Sequence, residues 1–180
     1  MARKKSLTRE ECEKAARHVL DREGIDRWPV KVDRIAKRAG IKIQYSALDD
    51  ELSGMAFYKD NVAVIGVNAR HHVRRQRFTI AHEIGHFELH DEVLRKGMHV
   101  DKVITMLNRD PTSGSGTISI EIEANQFAAE LLMPKALVLQ YMELEGLDYG
   151  CVPDDEAMEA MARAFNVSTT AMTYRIAKIF

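Results

Sequence analysis

Only two cysteines, Cys12 and Cys151, occur in the 180 residues, and neither sits in C-x-x-C spacing. That excludes a disulfide framework and a cysteine-built metal site, and it fits reduced, partly buried thiols. No apolar run approaches the roughly 20 residues of a membrane span. The basic start at Arg3-Lys4-Lys5 is followed by no apolar h-region, so neither a membrane anchor nor a secretory signal is expected. Formal net charge is −1, too small to draw the chain as a whole to nucleic acid or an anionic membrane. A second basic cluster, Arg70, Arg74, Arg75 and Arg77, reads as a solvated helix face. These absences predict a cytoplasmic protein.

What is present suffices for a real core: apolar residues make up 46% and charged residues 29%. The length fits one domain with room for a small appendage. Residues 1–6 read as a tail. Thr8 and Glu11 form a capping box for a first helix whose inward stripe is Cys12, Ala15, Ala16, Val19 and Leu20, with Gly24 at its end. After the Trp28-Pro29 turn, Val32, Ile35, Ala36 and Ala39 mark a short helix stopped by Gly40. Ile41–Tyr45 alternates as a strand should. Gly54–Lys59 and Val62–Asn68 predict a hairpin turning at Asp60-Asn61.

Asn68 is then a plausible N-cap for a long helix over Ala69–His90. An exposed edge strand beside that helix would suit pairing with an extended peptide. Lys96–Thr117, with its Ser/Gly-rich run, predicts a loop, either a lid or simple disorder. A helix from Ser119 to Met133 stops at Pro134. Another runs from there to Glu145, and two more follow, opened by Pro153-Asp154-Asp155 and by Ser168. The fold class is α+β, a small sheet beside a helix that carries the chemistry.

That chemistry lies in His82-Glu83-Ile84-Gly85-His86, an H-E-x-x-H motif. On a helix, residues four apart stand about 40° apart around the axis and one turn apart along it. Both imidazoles can therefore reach one ion. Glu83 is turned off that line and can address a metal-bound water instead. Two nitrogen ligands with an open position suit Zn²⁺. The bland reading is an amphipathic helix with two surface histidines. Against it, Ile80, Ile84 and Phe87 form an apolar stripe that buries the neighbourhood. His90 continues the spacing, but lies about 12 Å from His82 along the axis, too far to share the same ion. His90 is read as structural, as are His18, His71, His72 and His99.

Two glutamates compete to be the third ligand. At about 100° per residue, Glu121 falls within the arc of Ala124, Phe127, Ala128, Leu131 and Leu132. Glu123 falls with Gln126 and Glu130 on a face that reads as solvated. A carboxylate directed inward needs a partner, and a metal supplies one. Glu121 is therefore chosen, with Glu123 in reserve. Asn125 shares Glu121's face and is placed to hydrogen-bond a ligand histidine.

The motif His82–His86, followed by Glu121-Ile122-Glu123-Ala124-Asn125-Gln126-Phe127-Ala128-Ala129-Glu130-Leu131-Leu132-Met133-Pro134, resembles the ImmA/IrrE-type metallopeptidases. The first motif is common to many zinc proteases; the second is far more specific. The resemblance takes in the hairpin and the C-terminal helices, and so most of the chain. It implies a mostly helical, zincin-like metallopeptidase domain over residues 7–150, with a C-terminal helical segment, 151–180, packed on it. It also implies Zn²⁺ as cofactor, His82, His86 and Glu121 as its ligands, and Glu83 as catalytic base.

The implied activity is endopeptidase cleavage of a helix-turn-helix repressor or an antitoxin, releasing gene expression as in a stress response. Two departures from the family pattern stand out. The interval from His86 to Glu121 is long, and no separate N-terminal DNA-binding domain is evident. The alternative function is a proteolytically silent, zinc-containing regulator that binds DNA or a partner protein through its C-terminal helices. Residues Ala162–Met172 resemble a helix-turn-helix, yet Thr169, Thr170, Thr173 and Arg175 supply little for a DNA reader, so direct nucleic-acid binding is not expected. Tyr58 is the one residue suggested for a developing oxyanion.

Overall fold

A computed structural model describes residues 6–102, 115–148 and 152–180. Cys151, the boundary at 150/151, residues 1–5 and most of the expected loop, 103–114, lie outside them. Among the described residues the order is α1 (Arg9–Glu23), α2 (Val32–Arg38), β1 (Lys42–Ser46), β2 (Leu52–Lys59), β3 (Val62–Asn68), α3 (Val73–Leu94), β4 (His99–Lys102), α4 (Ser115–Leu132), α5 (Lys135–Leu144), α6 (Asp155–Phe165) and α7 (Thr169–Ile179). The α+β class holds.

Helix starts follow their caps. Thr8 Oγ1 accepts from the Glu11 amide while Glu11 Oε2 accepts from the Thr8 amide, the expected capping box. Asp154 and Ser168 cap α6 and α7 by accepting from the Ala157 and Ala171 amides. In the hairpin, Asp60 and Asn61 both take positive φ, 50° and 63°, so the turn has the twist that β2 and β3 require.

The long helix departs from expectation. It begins at Val73 with His72 as N-cap, runs to Leu94, and leaves helical dihedrals at His90. Asn68 does not cap it. Its amide nitrogen donates to the carbonyls of Asp49 and Leu52, and its Oδ1 accepts from Leu48 and Arg70, so it closes the loop before β2. Gln76 Nε2 donates to the carbonyls of Asn68, Ala69 and His71, which holds that stretch out of the helix.

The sheet order is β1-β3-β2-β4, with β1 parallel to β3 and the other pairs antiparallel. The expected loop after Lys96 thus contains a strand. As a result β2, the strand laid along α3, is interior rather than an edge. The edges are β1 and β4.

Ile65 and Val67 on the sheet and Ile80, Ala81 and Ile84 on α3 join Phe127, Ala128, Leu131 and Leu132 of α4 in one core. Met161, Phe165, Met172 and Ile176 of α6 and α7 enter the same core, and Trp28 stacks on Phe165 at 5.5 Å between ring centres. The basic cluster is only partly solvated. Arg77 is buried, donating to the carbonyls of Val30 and Asn166 and tying α3 to the α6–α7 turn. No helix among the described residues is long and apolar enough to cross a membrane.

Candidate metal centre

Three side chains meet where α3 and α4 cross. His82 Nε2 and His86 Nε2 stand 2.9 Å apart. Glu121 brings one carboxylate oxygen to 3.4 Å from the first and the other to 3.5 Å from the second. The donor atoms of these residues all lie within 4.8 Å of one another. Both histidines are buried, and the Glu121 side chain is 12% exposed. Ligands bonded at roughly 2.0–2.1 Å around a tetrahedral ion lie about 3.3–3.4 Å apart, so these separations bracket what such an ion needs. Two imidazole nitrogens and a carboxylate form the donor set of a catalytic zinc site with a position left open. The residues fit the metal.

The neighbouring groups orient the cluster. His82 Nδ1 lies 3.0 Å from Asn125 Oδ1. A carbonyl oxygen only accepts, so Nδ1 carries the proton and Nε2 keeps its lone pair toward the cluster. Gly85 lets α4 come in: a Cβ there would stand 3.0 Å from Phe127 Cδ1. A one-residue step around α3 turns Glu83 away from α4 and under β2. It is wholly buried, and a Cβ on Gly54 would stand 3.3 Å from its Oε1.

Glu123, the reserve ligand, is placed elsewhere. The face that read as solvated is covered, with Glu123 4% and Glu130 1% exposed, because α4 packs on α1 as well as on α3. Glu123 Oε1 accepts from Ser6 Oγ, the Leu7 amide and Ser119 Oγ, and its Oε2 lies 3.5 Å from His90 Nε2. Glu130 pairs with the buried Arg175 of α7. Burial pushes the Glu130 pKa up, while the Arg175 charge opposes the shift.

Tyr58 is engaged at the far end of α3, donating to Asp91 Oδ1 beneath the Arg95 guanidinium. Burial and that hydrogen bond raise its pKa. Arg175 also faces inward, onto Glu13, Glu130 and the Met133 carbonyl, so a basic residue of the helix-turn-helix-like segment is taken up by the core. Gly54 and Ser6 were missed by sequence reasoning. A glycine inside a strand is itself a sign of close backbone approach.

A helix pair presenting two histidines and a glutamate beside a small mixed sheet is an arrangement that could hold a metal ion. The chain belongs to the Peptidase_M78 family, described as the IrrE N-terminal-like domain, whose model matches residues 36–177. It is thereby of peptidase type at the level of the family. A curated relative, "Uncharacterized immunity region protein 2" of Bacillus phage phi105, is 32% identical over 98 residues, 54% of this chain and 55% of that protein. The chain thus spans about half the length of that relative. A solved structure, "Mycobacterium tuberculosis transcriptional regulator", shares the fold at a TM-score of 0.59 and 16% identity, covering 91% of this chain and 45% of that one.

Proposed function

We infer that the chain is a zinc-dependent endopeptidase that makes a site-specific cut in a helix-turn-helix repressor or an antitoxin. The observation that carries this reading is the convergence of His82 Nε2, His86 Nε2 and the Glu121 carboxylate within 4.8 Å, one helical step from the buried Glu83. His82, His86 and Glu121 would hold the ion. Bound there, zinc supplies Lewis acidity, polarising a carbonyl and lowering the pKa of water toward about 7.

The chain's own residues do the rest. Asn125 keeps the His82 lone pair on the cluster. Glu83 takes the proton of the attacking water on its carboxylate and delivers it to the leaving amine. Burial of Glu83 and both histidines excludes bulk solvent from the proton path. The phage relative's name, an immunity region protein, supports a regulatory partner over general digestion. The inward commitment of Arg175 weighs against the silent DNA-binding alternative.

The test is to incubate the repressor or antitoxin encoded next to this gene with the protein, with and without a chelator, and to map fragments by mass spectrometry. One discrete cut, lost with the chelator, is expected. A bound partner left intact under zinc-replete and stress-like conditions contradicts the reading.

A further inference from the structure

The third ligand rides near the start of its helix. Glu121 is the seventh residue of α4 (Ser115–Leu132), one turn in from the opening turn, whose backbone amides lack intrahelical partners and from which helices fray. A ligand there needs something other than the helix to hold it against His82 and His86. Glu123 is built to do so. One of its oxygens gathers Ser119 Oγ at 2.8 Å from its own helix, and Ser6 Oγ at 2.7 Å and the Leu7 amide at 3.0 Å from the segment ahead of α1. The other faces His90, where α3 leaves helical geometry one turn beyond His86. The start of α4 is thereby clamped to both elements that flank it. Ser6 and Leu7 lie outside the region matched by the family model, which begins at residue 36.

We propose that Glu123 is a positioning residue for the metal centre, and that through it the docking of Ser6 and Leu7 is coupled to metal occupancy. This rests on Glu121 being a ligand. Coupling of this kind is reciprocal: whatever detaches the segment ahead of α1 weakens metal binding, and the metal tightens that segment. The device makes residues 6–8 a handle on the activity, away from the open side of the centre.

The experiment uses the full chain and zinc itself, by competition with a chromophoric chelator. Ser6→Ala/Ser119→Ala removes two donors and leaves Glu123 intact; Glu123→Gln keeps the shape and changes the charge. Each should weaken zinc binding by about tenfold, the scale seen when groups supporting a ligand are removed. Each should also dim the visible bands of the Co²⁺-loaded protein. Amide exchange at Leu7 should slow on zinc saturation in the wild type and not in the serine pair. Zinc affinity within twofold of wild type in the serine pair, with Leu7 exchange indifferent to zinc, overturns the proposal even if Glu123→Gln fails to fold. Glu121→Ala separates the two failures. If it loses the metal while the serine pair does not, only the clamp is wrong; if it too keeps full affinity, the ligand reading falls with it.

Discussion

Asn125 Oδ1 and His82 Nδ1 stand 3.0 Å apart across the α3–α4 crossing, four residues on from Glu121, so one helix supplies both a ligand candidate and the group that orients another. Asn125→Ala should leave the fold intact and weaken zinc binding about 10- to 100-fold, by freeing the His82 ring to rotate or change tautomer. Chelator competition measures it; unchanged affinity would remove the orienting role.

Gly54 lets β2 pass directly over α3. A Cβ there would lie 2.3 Å from Thr79 Cγ2 and 2.8 Å from the Gly66 carbonyl, one contact with a side chain and one with backbone. Gly54→Ala should therefore destabilise the fold by about 1–3 kcal/mol, the usual cost of overpacking. It should also shift Glu83, so residual activity should fall more than the folded fraction does. Urea melts paired with a cleavage assay read both.

Arg175 is a buried cation held between Glu130 and Glu13. Arg175→Met removes the buried partner of Glu130, leaving only the exposed Arg17 at 3.6 Å as its cation, and should cost up to about 3–5 kcal/mol. Adding Glu130→Met to it should recover most of the loss, since apolar replacement of both members of a buried pair is often close to neutral. Chemical denaturation of the two variants decides whether the pair specifies the packing of α7 or merely fills space.

Glu13 carries a pH signature. Burial by itself would raise its pKa, but hydrogen bonds from Arg9 and Arg175 outweigh that and hold it below the ordinary value of 4.5. A carboxylate with a depressed folded pKa contributes stability that is present above its unfolded value and lost as pH falls through the folded one. Urea midpoints of the wild type should therefore drop on acidification below about pH 4.5, and the drop should be shallower in Glu13→Gln. Parallel curves for the two proteins would contradict this.

Much of this architecture was legible because local chemistry and tertiary structure agreed. Thr8, Asp154 and Ser168 start helices where their side chains accept amides. Asp60-Asn61 turns the hairpin because both residues tolerate positive φ. The spacing of His82 and His86 put both rings on one line, and the angular argument put Glu121 with them. Yet that argument reached Glu121 through a premise that failed. Periodicity locates an apolar arc and cannot tell how many neighbours a helix has, and α4 has two. Glu123 is more deeply buried than Glu121, so depth alone would not have singled out the carboxylate that faces His82 and His86. What separates them is reach: Glu121 faces the Nε2 atoms of His82 and His86, whereas the histidine that Glu123 faces is His90. Asn68 shows the same limit, since its side chain was drawn to the carbonyls of Asp49 and Leu52, 19 and 16 positions earlier. Strand β4, only four residues long, left no pattern to detect.

The most direct test of the zinc-peptidase account compares wild-type, Glu83→Gln and His86→Ala proteins for metal content and for cleavage of the neighbouring repressor or antitoxin. Glu83→Gln keeps shape and polarity but cannot serve as a base. It should hold one zinc per chain, as the wild type should, and cut about 10²–10⁴-fold more slowly than the wild type. His86→Ala should hold little zinc and cut nothing. Undiminished cleavage by Glu83→Gln, or cleavage by His86→Ala protein without bound metal, would contradict the account.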